Sequence, residues 1–415
     1  MNLNTRKLNL EMMKNNLLVK LAIITLLFNA CAQDDTADIY ITDNSIINNN
    51  SNGNTNGTDE EIPISAAEYT SDLTLEANRT YTINGPVIIT NGATLTINEG
   101  VTIKAVATGA DVYIAISQGA KIIANGSATK PIVMTSGNPN PAAGQWGGLI
   151  LLGKAPINSV TGNATSTSEI GSLPYGGTDA ADNSGVLRYV RVEYSGGAAD
   201  GSSENNGFSF YGVGAGTTIE YIQAFEGADD GIEFFGGTAE VAYAVVINCQ
   251  DDSIDWTEGF TGAITNVYIK HGAAHDKAFE CDGYNTDIGN LSNPKFWSKP
   301  TVTHARIVGL GSATGNEAIR LRSGTQGVFN NILIEGFDEG FDLDGDTGAA
   351  SNNPTGTGVI NGNLYVENVT FIDVNTKMKN DTGDVFGEAD FISGDGNGTG
   401  TDYDIWGVSW TVGND

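Results

Sequence analysis

A six-residue hydrophobic pattern recurs seven times from residue 187 onward, and this repeat limits the fold more strongly than any other feature of the sequence. The pattern reads apolar-x-x-apolar-x-apolar. A repeat with a period of about 20 to 50 residues is typical of a solenoid, in which each repeat packs on its neighbours. The copies are LRYVRV from Leu187, IEYIQA from Ile219, VAYAVV from Val241, ITNVYI from Ile264, VTHARI from Val302, FNNILI from Phe329 and VENVTF from Val366.

The third position of this pattern holds tyrosine, asparagine or histidine. Asparagines that recur at one position of successive turns predict an internal ladder, in which each amide hydrogen-bonds to the amides above and below it. The residues at this position are Tyr189, Tyr221, Tyr243, Asn266, His304, Asn331 and Asn368.

A second, four-residue repeat alternates apolar and polar residues, which is typical of a strand with one buried and one solvated face. The interval from Ile232 to Ile254 is the same as the interval from Ile319 to Phe341. We interpret this shared interval as the length of one coil, so we expect an all-β fold, a right-handed parallel β-helix with loop insertions. The copies are FSFY from Phe208, IEFF from Ile232, IDWT from Ile254, FECD from Phe279, IRLR from Ile319 and FDLD from Phe341.

Other segments fit the same scheme. NGATLTI from Asn91 and QGAKIIA from Gln118 follow each other at a slightly longer interval and are predicted to be earlier coils, whereas residues 283–300 are predicted to be an inserted loop. The two cysteines that follow residue 31, Cys249 and Cys281, are too few for a disulfide scaffold and are expected to be buried thiols, although their pairing stays open.

The N-terminus has the order of a signal peptide. Lys14 and Lys20 flank a short apolar run that ends shortly before Cys31, and Met13 is the expected natural start. The run is too short to cross a bilayer, so we expect no transmembrane span. The sequence therefore predicts a lipoprotein signal peptide at residues 1–30, an acylated cysteine and flexible tether at residues 31–64, and a β-helix domain at residues 65–415.

The stretch LLFNAC resembles a lipobox, which makes Cys31 the lipidation site. Asp34 and Asp35 follow it and resemble the surface-export signal of Bacteroidota lipoproteins. These resemblances imply a protein anchored in the outer membrane through its lipid alone, facing the cell exterior. An ordinary signal peptide with a cysteine, and a solvated acidic linker, are the alternatives.

The charge balance restricts the partners. Removal of residues 1–30 takes four of 20 basic and one of 50 acidic residues, leaving 16 against 49 and a net charge of −33. Such a chain repels nucleic acid, so no nucleic-acid partner is expected, and it favours divalent cations.

Several segments together resemble a family of Bacteroidota outer-membrane lipoproteins, from near residue 68 to the end of the chain. The resemblance implies the β-helix fold and the surface location, and it assigns no activity. The segments are GQWGGLILLGKAPIN, YGGTDAADNSGVLRYVRVEYSGG, GVGAGTTIEYIQAFEGADDGIEFFGG and QDDSIDW.

The polar positions of the second repeat carry stacked carboxylates. Carboxylates one coil apart stand about 5 Å from each other and can share a calcium ion or raise one another's pKa. A merely solvated acidic face is the alternative. The predicted cation ligands are Glu233, Asp255, Glu280 and Asp282.

Two functions follow from these features. The first is a non-catalytic binding, adhesion or structural module that meets an extracellular glycan or protein. The second is a polysaccharide-degrading enzyme, because QDDSID and RLRSG resemble in outline the aspartates and the basic cluster of β-helical polygalacturonases. The residues of this alternative glycan site are Asp251, Asp252, Asp255, Arg320 and Arg322.

Overall fold

The computed structural model describes residues 60–158, 165–199, 204–285, 296–345 and 354–414. Within these ranges the chain forms strands of 2 to 18 residues, one 3-10 helix at Ser312–Thr314 and three helices, α1 (Pro354–Ile360), α2 (Glu388–Phe391) and α3 (Tyr403–Trp406). The strands are β1 (Ile62–Ile64), β2 (Ala67–Tyr69), β3 (Leu73–Leu75), β4 (Thr80–Ile83), β5 (Val87–Ile89), β6 (Thr94–Ile97), β7 (Thr102–Ala105), β8 (Ile114–Ile116), β9 (Lys121–Asn125), β10 (Ile132–Ser136), β11 (Leu149–Leu152), β12 (Ser166–Thr167), β13 (Pro174–Tyr175), β14 (Gly185–Glu193), β15 (Phe208–Tyr211), β16 (Thr218–Phe225), β17 (Ile232–Phe235), β18 (Glu240–Ile247), β19 (Ile254–Thr257), β20 (Ala263–Lys270), β21 (Phe279–Asp282), β22 (Thr301–Val308), β23 (Glu317–Arg322), β24 (Gly327–Asp344), β25 (Leu364–Asp381) and β26 (Ile392–Asp395).

Twenty-four of these strands form one parallel sheet that winds in coils, which confirms the predicted parallel β-helix. Three columns of stacked strands build it. Column one begins with β1, β4, β7 and β10, and column three with β3, β6 and β9. Column two contains β2, β5, β8, β11, β15, β17, β19, β21 and β23. From β14 onward one long strand serves columns three and one in succession, and β24 and β25 continue from there into column two.

The predicted register is confirmed at the pairs that the sequence singled out. Ile232 lies beside Ile254, and Ile319 lies beside Phe341, one coil apart in each case. The two earlier coils also pair as predicted, because β6 lies directly against β9. The first strand, β1, begins before residue 65, where the sequence placed the start of the domain.

The third position of the hydrophobic pattern is a corner between columns three and one. All seven residues there have a positive φ, between 51° and 61°. A residue with a positive φ interrupts the alternation of inward and outward side chains along the strand. The pattern therefore has two successive outward positions, the second and the third, between its first and second inward residues. Asparagine tolerates this conformation better than most residues. The expected internal amide ladder is wrong, because the corner side chains lie on the outside: Tyr189 is half-buried and His304 is exposed.

The core fills the inside of the coils. Trp256 is fully buried and lies in register between Phe234 and Cys281, as the alternation of the second repeat predicts. Cys281 and Cys249 are both buried free thiols, which confirms their predicted state. The inward residues of column two therefore belong to one continuous core.

The outward side of column two is not uniformly solvated, and the predicted solvated face is wrong there. Tyr211 and Phe235 stack at 4.0 Å between ring centroids and are buried under Ile157, Ile170 and Tyr175. The covering residues belong to the long connection between β11 and β14, which includes the antiparallel pair β12–β13. The connection thus closes one end of the polar face of column two.

Some predictions fall on other parts of the chain. The signal peptide, Cys31, Asp34, Asp35 and most of the predicted loop at residues 283–300 lie outside the described residues. Among the residues that are described, no helix is long and apolar enough to span a membrane.

A candidate acidic site on column two

The candidate site lies on the outward side of β17, β19 and β21 and on the turns that lead into these strands. Glu233, Asp255, Glu280 and Arg320 are register partners in one row. Asp282 and Arg322 are partners in the next row. Parallel register therefore brings the predicted cation ligands together. It also brings two arginines to the same face, where they can neutralise these carboxylates.

Basic side chains neutralise the half of this site around β21. Arg322 donates from Nε to Asp282 Oδ1 at 2.6 Å and from Nη2 to Glu280 Oε2 at 2.5 Å. Lys277, whose side chain is only 6% exposed, reaches Glu280 Oε1 at 3.2 Å. Burial alone would lower the pKa of Arg322, but the charges of Asp282 and Glu280 outweigh it and raise that pKa. Two of the four predicted ligands are therefore already paired with cations.

Arg320 belongs to a neighbouring network. It contacts Glu317 at 2.8 Å, Asp344 at 3.4 Å and Asp342 at 3.8 Å. Arg322 therefore pairs with carboxylates of the preceding coil, whereas Arg320 pairs with carboxylates of the following coil and with Glu317 on its own strand. Both guanidinium groups are held by carboxylates of this chain.

The other half of the site is formed by Asn206, Asp230, Glu233 and Asp255, which we call the acidic recess. One carboxylate oxygen from each of Asp230, Glu233 and Asp255 lies within 4.8 Å of the others. Within the described part of the chain, no lysine or arginine forms an ion pair with these three. The acidic recess therefore concentrates negative charge that the protein does not offset by direct pairing.

The polar atoms of the acidic recess are incompletely satisfied. Asn206 donates from Nδ2 to Glu233 Oε2 at 2.6 Å. The Oδ1 atoms of Asn206 and Asp255 are both buried and have no hydrogen-bond partner among the described residues. A buried carboxylate oxygen without a donor is costly, so a cation bound between the three carboxylates would stabilise Asp255.

The pKa values of these carboxyl groups reflect their burial and their mutual repulsion. Burial, and then the charge of Asp255, raises the pKa of Glu233 well above its usual range. Burial also dominates for the pKa values of Asp230 and Asp255, with neighbouring carboxylates adding to it. On the adjoining turn, burial and then Glu204 and Asp251 raise the pKa of Asp229 to about 8. A proton or a cation relieves this repulsion.

The alternative glycan site is divided between several environments. Asp251 is exposed, whereas Asp252 is buried and accepts the backbone N–H of Lys277 at 2.7 Å. Asp230 accepts the backbone N–H of Asp252 in the same way, at 2.9 Å. The aspartate pair thus repeats once per coil, and the second aspartate of each pair accepts a backbone N–H from the next coil. A uniformly solvated acidic face is wrong here, because burial is the common state of Asp230, Asp252, Asp282 and Asp342.

A buried histidine pair lies next to the site. His271 and His275 stack at 3.9 Å between ring centroids. Nδ1 of His275 accepts the backbone N–H of Gly272, so Nε2 carries the proton and donates to Ser253 Oγ at 3.0 Å. Burial lowers the pKa of His271 to about 4 and that of His275 to about 2. Nothing in the sequence indicates the contact with Ser253, since it depends on how two coils stack.

The stacked coils, the three columns and the polar face of column two define a parallel β-helix protein. The chain belongs to the family described as pectate-lyase like beta helix domain, whose model matches residues 67–411. No curated protein and no solved structure is significantly similar to the chain. Membership in a Bacteroidota lipoprotein family stays a prediction.

Proposed function

We propose that this protein is a lipid-anchored β-helix of the outer membrane that faces the cell exterior. It acts there as a non-catalytic binding, adhesion or structural module, and it holds a divalent cation such as calcium in the acidic recess. The observation that carries the cation proposal is the unequal neutralisation of one carboxylate row. Glu280 is paired with Arg322 and Lys277, whereas Glu233 and Asp255 have no basic partner among the described residues.

Oxygen ligands are what calcium prefers, and it takes about six to eight of them. Asp230, Glu233 and Asp255 supply the carboxylate oxygens, and Asn206 adjoins them with its Nδ2 on Glu233 Oε2. Water would complete the shell. This assignment replaces Glu280 and Asp282 of the sequence prediction, because Arg322 already occupies their oxygens.

The arginines support the non-catalytic role. A group that acts on a polysaccharide must meet the substrate, and both Arg320 and Arg322 are instead bound to carboxylates of the same chain. Asp230 and Asp252 each accept a backbone N–H from the next coil. These two arginines and two aspartates thus hold neighbouring coils together.

Calcium titration of thermal unfolding tests the cation site. A ligand that binds only the folded state raises stability by RT ln(1 + [L]/Kd), about 2.7 kcal/mol at a hundredfold excess. We expect calcium to raise the melting temperature, and the double change Glu233→Gln with Asp255→Asn to abolish that rise. Glu280→Gln should keep the calcium response, and so should Asp344→Asn, a matched carboxylate on the same column that is paired with Arg320.

Sodium chloride at matched ionic strength is the control for simple screening of carboxylate repulsion. An equal rise in sodium chloride would contradict the cation site. A calcium response that survives the double change would contradict it as well. A response lost in Glu280→Gln would restore the ligand set that the sequence predicted.

The second candidate function is polysaccharide cleavage, which the family membership favours. Neighbouring carboxyl groups in unequal environments are suited to acid and base roles. Asp251 is exposed, and burial raises the pKa of the adjacent Asp252 well above its usual range. Incubation with acidic and neutral polysaccharides distinguishes the two functions. Release of new chain ends that Asp252→Asn abolishes would establish an enzyme, whereas saturable retention without release fits a binding module.

A further inference from the structure

The last residues of the described chain, 396–414, leave β26 and return across the coils towards earlier strands. The backbone N–H of Gly396 donates to Val369 on β25, and that of Thr399 donates to Asn331 on β24. Further along, Val412 contacts Gln223 on β16. The order of contacts runs against the order of the chain, so the segment lies along the stack of coils.

Two side-chain amides hold the two ends of this segment by its backbone. Asn331 donates from Nδ2 to the Gly400 carbonyl at 3.0 Å and accepts the Thr399 N–H at 2.7 Å. Gln223 donates to the Val412 carbonyl at 2.8 Å and accepts the Val412 N–H at 3.0 Å. Each side-chain amide thus both donates to and accepts from the backbone of the segment, as the backbone of a neighbouring strand would. Gln223 is fully buried, so its two bonds are shielded from water.

Aromatic rings fill the space between these ends. The corner residues Tyr189, Tyr221 and Tyr243 stack on one another at 4.4 and 4.2 Å between centroids. Trp410 meets Tyr189 edge-on at 5.6 Å, and Trp406 meets Tyr243 at 5.1 Å. Trp410 is almost completely buried. Edge-to-face aromatic contacts of this kind add to the energy of burial.

We propose that residues 396–414 act as a single latch that ties the coils from β14 to β25 into one cooperative unit. Coils of a solenoid contact only their neighbours, so their stability is otherwise a sum of local terms. A segment that is bound at both ends adds a direct connection between coils that do not touch. Detachment at one end then loosens the other, and it uncovers the tyrosines of the corner at the same time.

A double-mutant cycle in the full chain tests the latch. Gln223→Ala removes the bonds on β16, and Asn331→Gly removes those on β24 while keeping the left-handed backbone, since φ of Asn331 is 60°. The strands are four coils apart, about 19 Å. Substitutions at that distance are normally additive. With a latch, either change alone detaches the segment, so the drop in melting temperature of the double variant is clearly smaller than the sum of the two single drops.

The matched control pairs Gln223→Ala with Asn330→Ala, because Asn330 lies beside Asn331 on β24 and bonds to Glu367 and Asn368 instead of the latch. That pair should be additive. Hydrogen exchange gives a second readout: Asn331→Gly should raise the exchange rate of amides near Tyr189 several-fold. Additive drops in the test pair, or unchanged exchange near Tyr189, would overturn the latch and leave a series of local contacts.

Discussion

Asp255 and Glu280 are register partners on neighbouring coils, but the protein neutralises only Glu280. Arg322 and Lys277 approach Glu280 from two sides, whereas Asp255 keeps a buried oxygen with no hydrogen-bond partner in the described part of the chain. One row of carboxylates therefore has a paired half and an unpaired half. The paired half holds coils together, and the unpaired half is available for a ligand.

The paired half leads to a prediction about Arg322. Arg322→Gln should destabilise the protein by about 3 kcal/mol, because it removes the guanidinium that the largely buried Asp282 and Glu280 share and leaves Lys277 as the cation that faces Glu280. Denaturant unfolding measures this cost. Arg188→Gln is the matched control: Arg188 pairs with Glu220 in a more exposed setting, so its loss should cost less than about 1 kcal/mol. Equal effects would mean that burial does not distinguish the two pairs.

The inward side of column two leads to a prediction about Trp256. Trp256→Ala should cost about 3 to 5 kcal/mol, because it removes a fully buried ring and leaves a cavity between Phe234 and Cys281. Val385→Ala, at a side chain that is 96% exposed, should change the stability by less than about 0.5 kcal/mol. An effect of Trp256→Ala below about 1 kcal/mol would contradict the register.

The sequence predicted much of the fold because the fold is periodic. The interval between Ile232 and Ile254 equals one coil, and the alternation of the second repeat placed Trp256 inside. Two features could not be read in this way. The cover over Tyr211 comes from a connection without a period, and the corner at Tyr189 shows only as an interruption of the in-out alternation.

The site was predicted less well than the fold, and the reason is side-chain direction. The sequence placed Asp255 and Glu280 in one row, which is correct. Register alone does not say whether an arginine reaches the coil before it or the coil after it. Arg322 extends towards the preceding coil and pairs with Asp282. The carboxylates that remain unpaired therefore include Glu233 and Asp230, where the candidate cation site lies.

The lipid anchor leads to a prediction about Cys31, which follows an apolar run as in a lipoprotein signal. Cys31→Ala should release the protein from the membrane fraction, because the acyl chains supply its only expected membrane contact. Replacing Asp34 and Asp35 by alanine should keep the lipid and lower exposure to added protease. Continued fractionation of Cys31→Ala with the outer membrane would contradict the anchor, and unchanged protease exposure would contradict only the export signal.

The acidic turns lead to a prediction about the loss of stability as the pH rises to 8. The pKa of Asp229 is raised to about 8 in the folded protein, first by burial, and is about 3.9 in an unfolded chain. Between these values the folded state binds more protons, so stability falls as the pH rises from about 4 towards 8. We expect the melting temperature in chelator to drop between pH 6.5 and 8, and Asp229→Asn to reduce the drop. An unchanged slope in Asp229→Asn would contradict the assignment.

The buried histidines lead to the opposite prediction for acid. Burial lowers the pKa of His271 to about 4, whereas an unfolded histidine has a pKa of about 6.5. The unfolded chain therefore binds more protons below pH 6.5, and stability is lost as the pH falls from there towards 4. One pKa unit corresponds to about 1.4 kcal/mol, so His271 should cost about 2 kcal/mol at pH 5 relative to pH 7.5. His271→Phe removes this proton and keeps a ring beside Phe337, which His271 meets edge-on at 5.0 Å. The variant lacks the histidine whose protonation favours the unfolded chain. Denaturant unfolding at pH 7.5 and at pH 5 should therefore show that the variant loses about 2 kcal/mol less stability on acidification than the wild type loses. An identical loss in both proteins would show that His271 does not titrate between the folded and unfolded states.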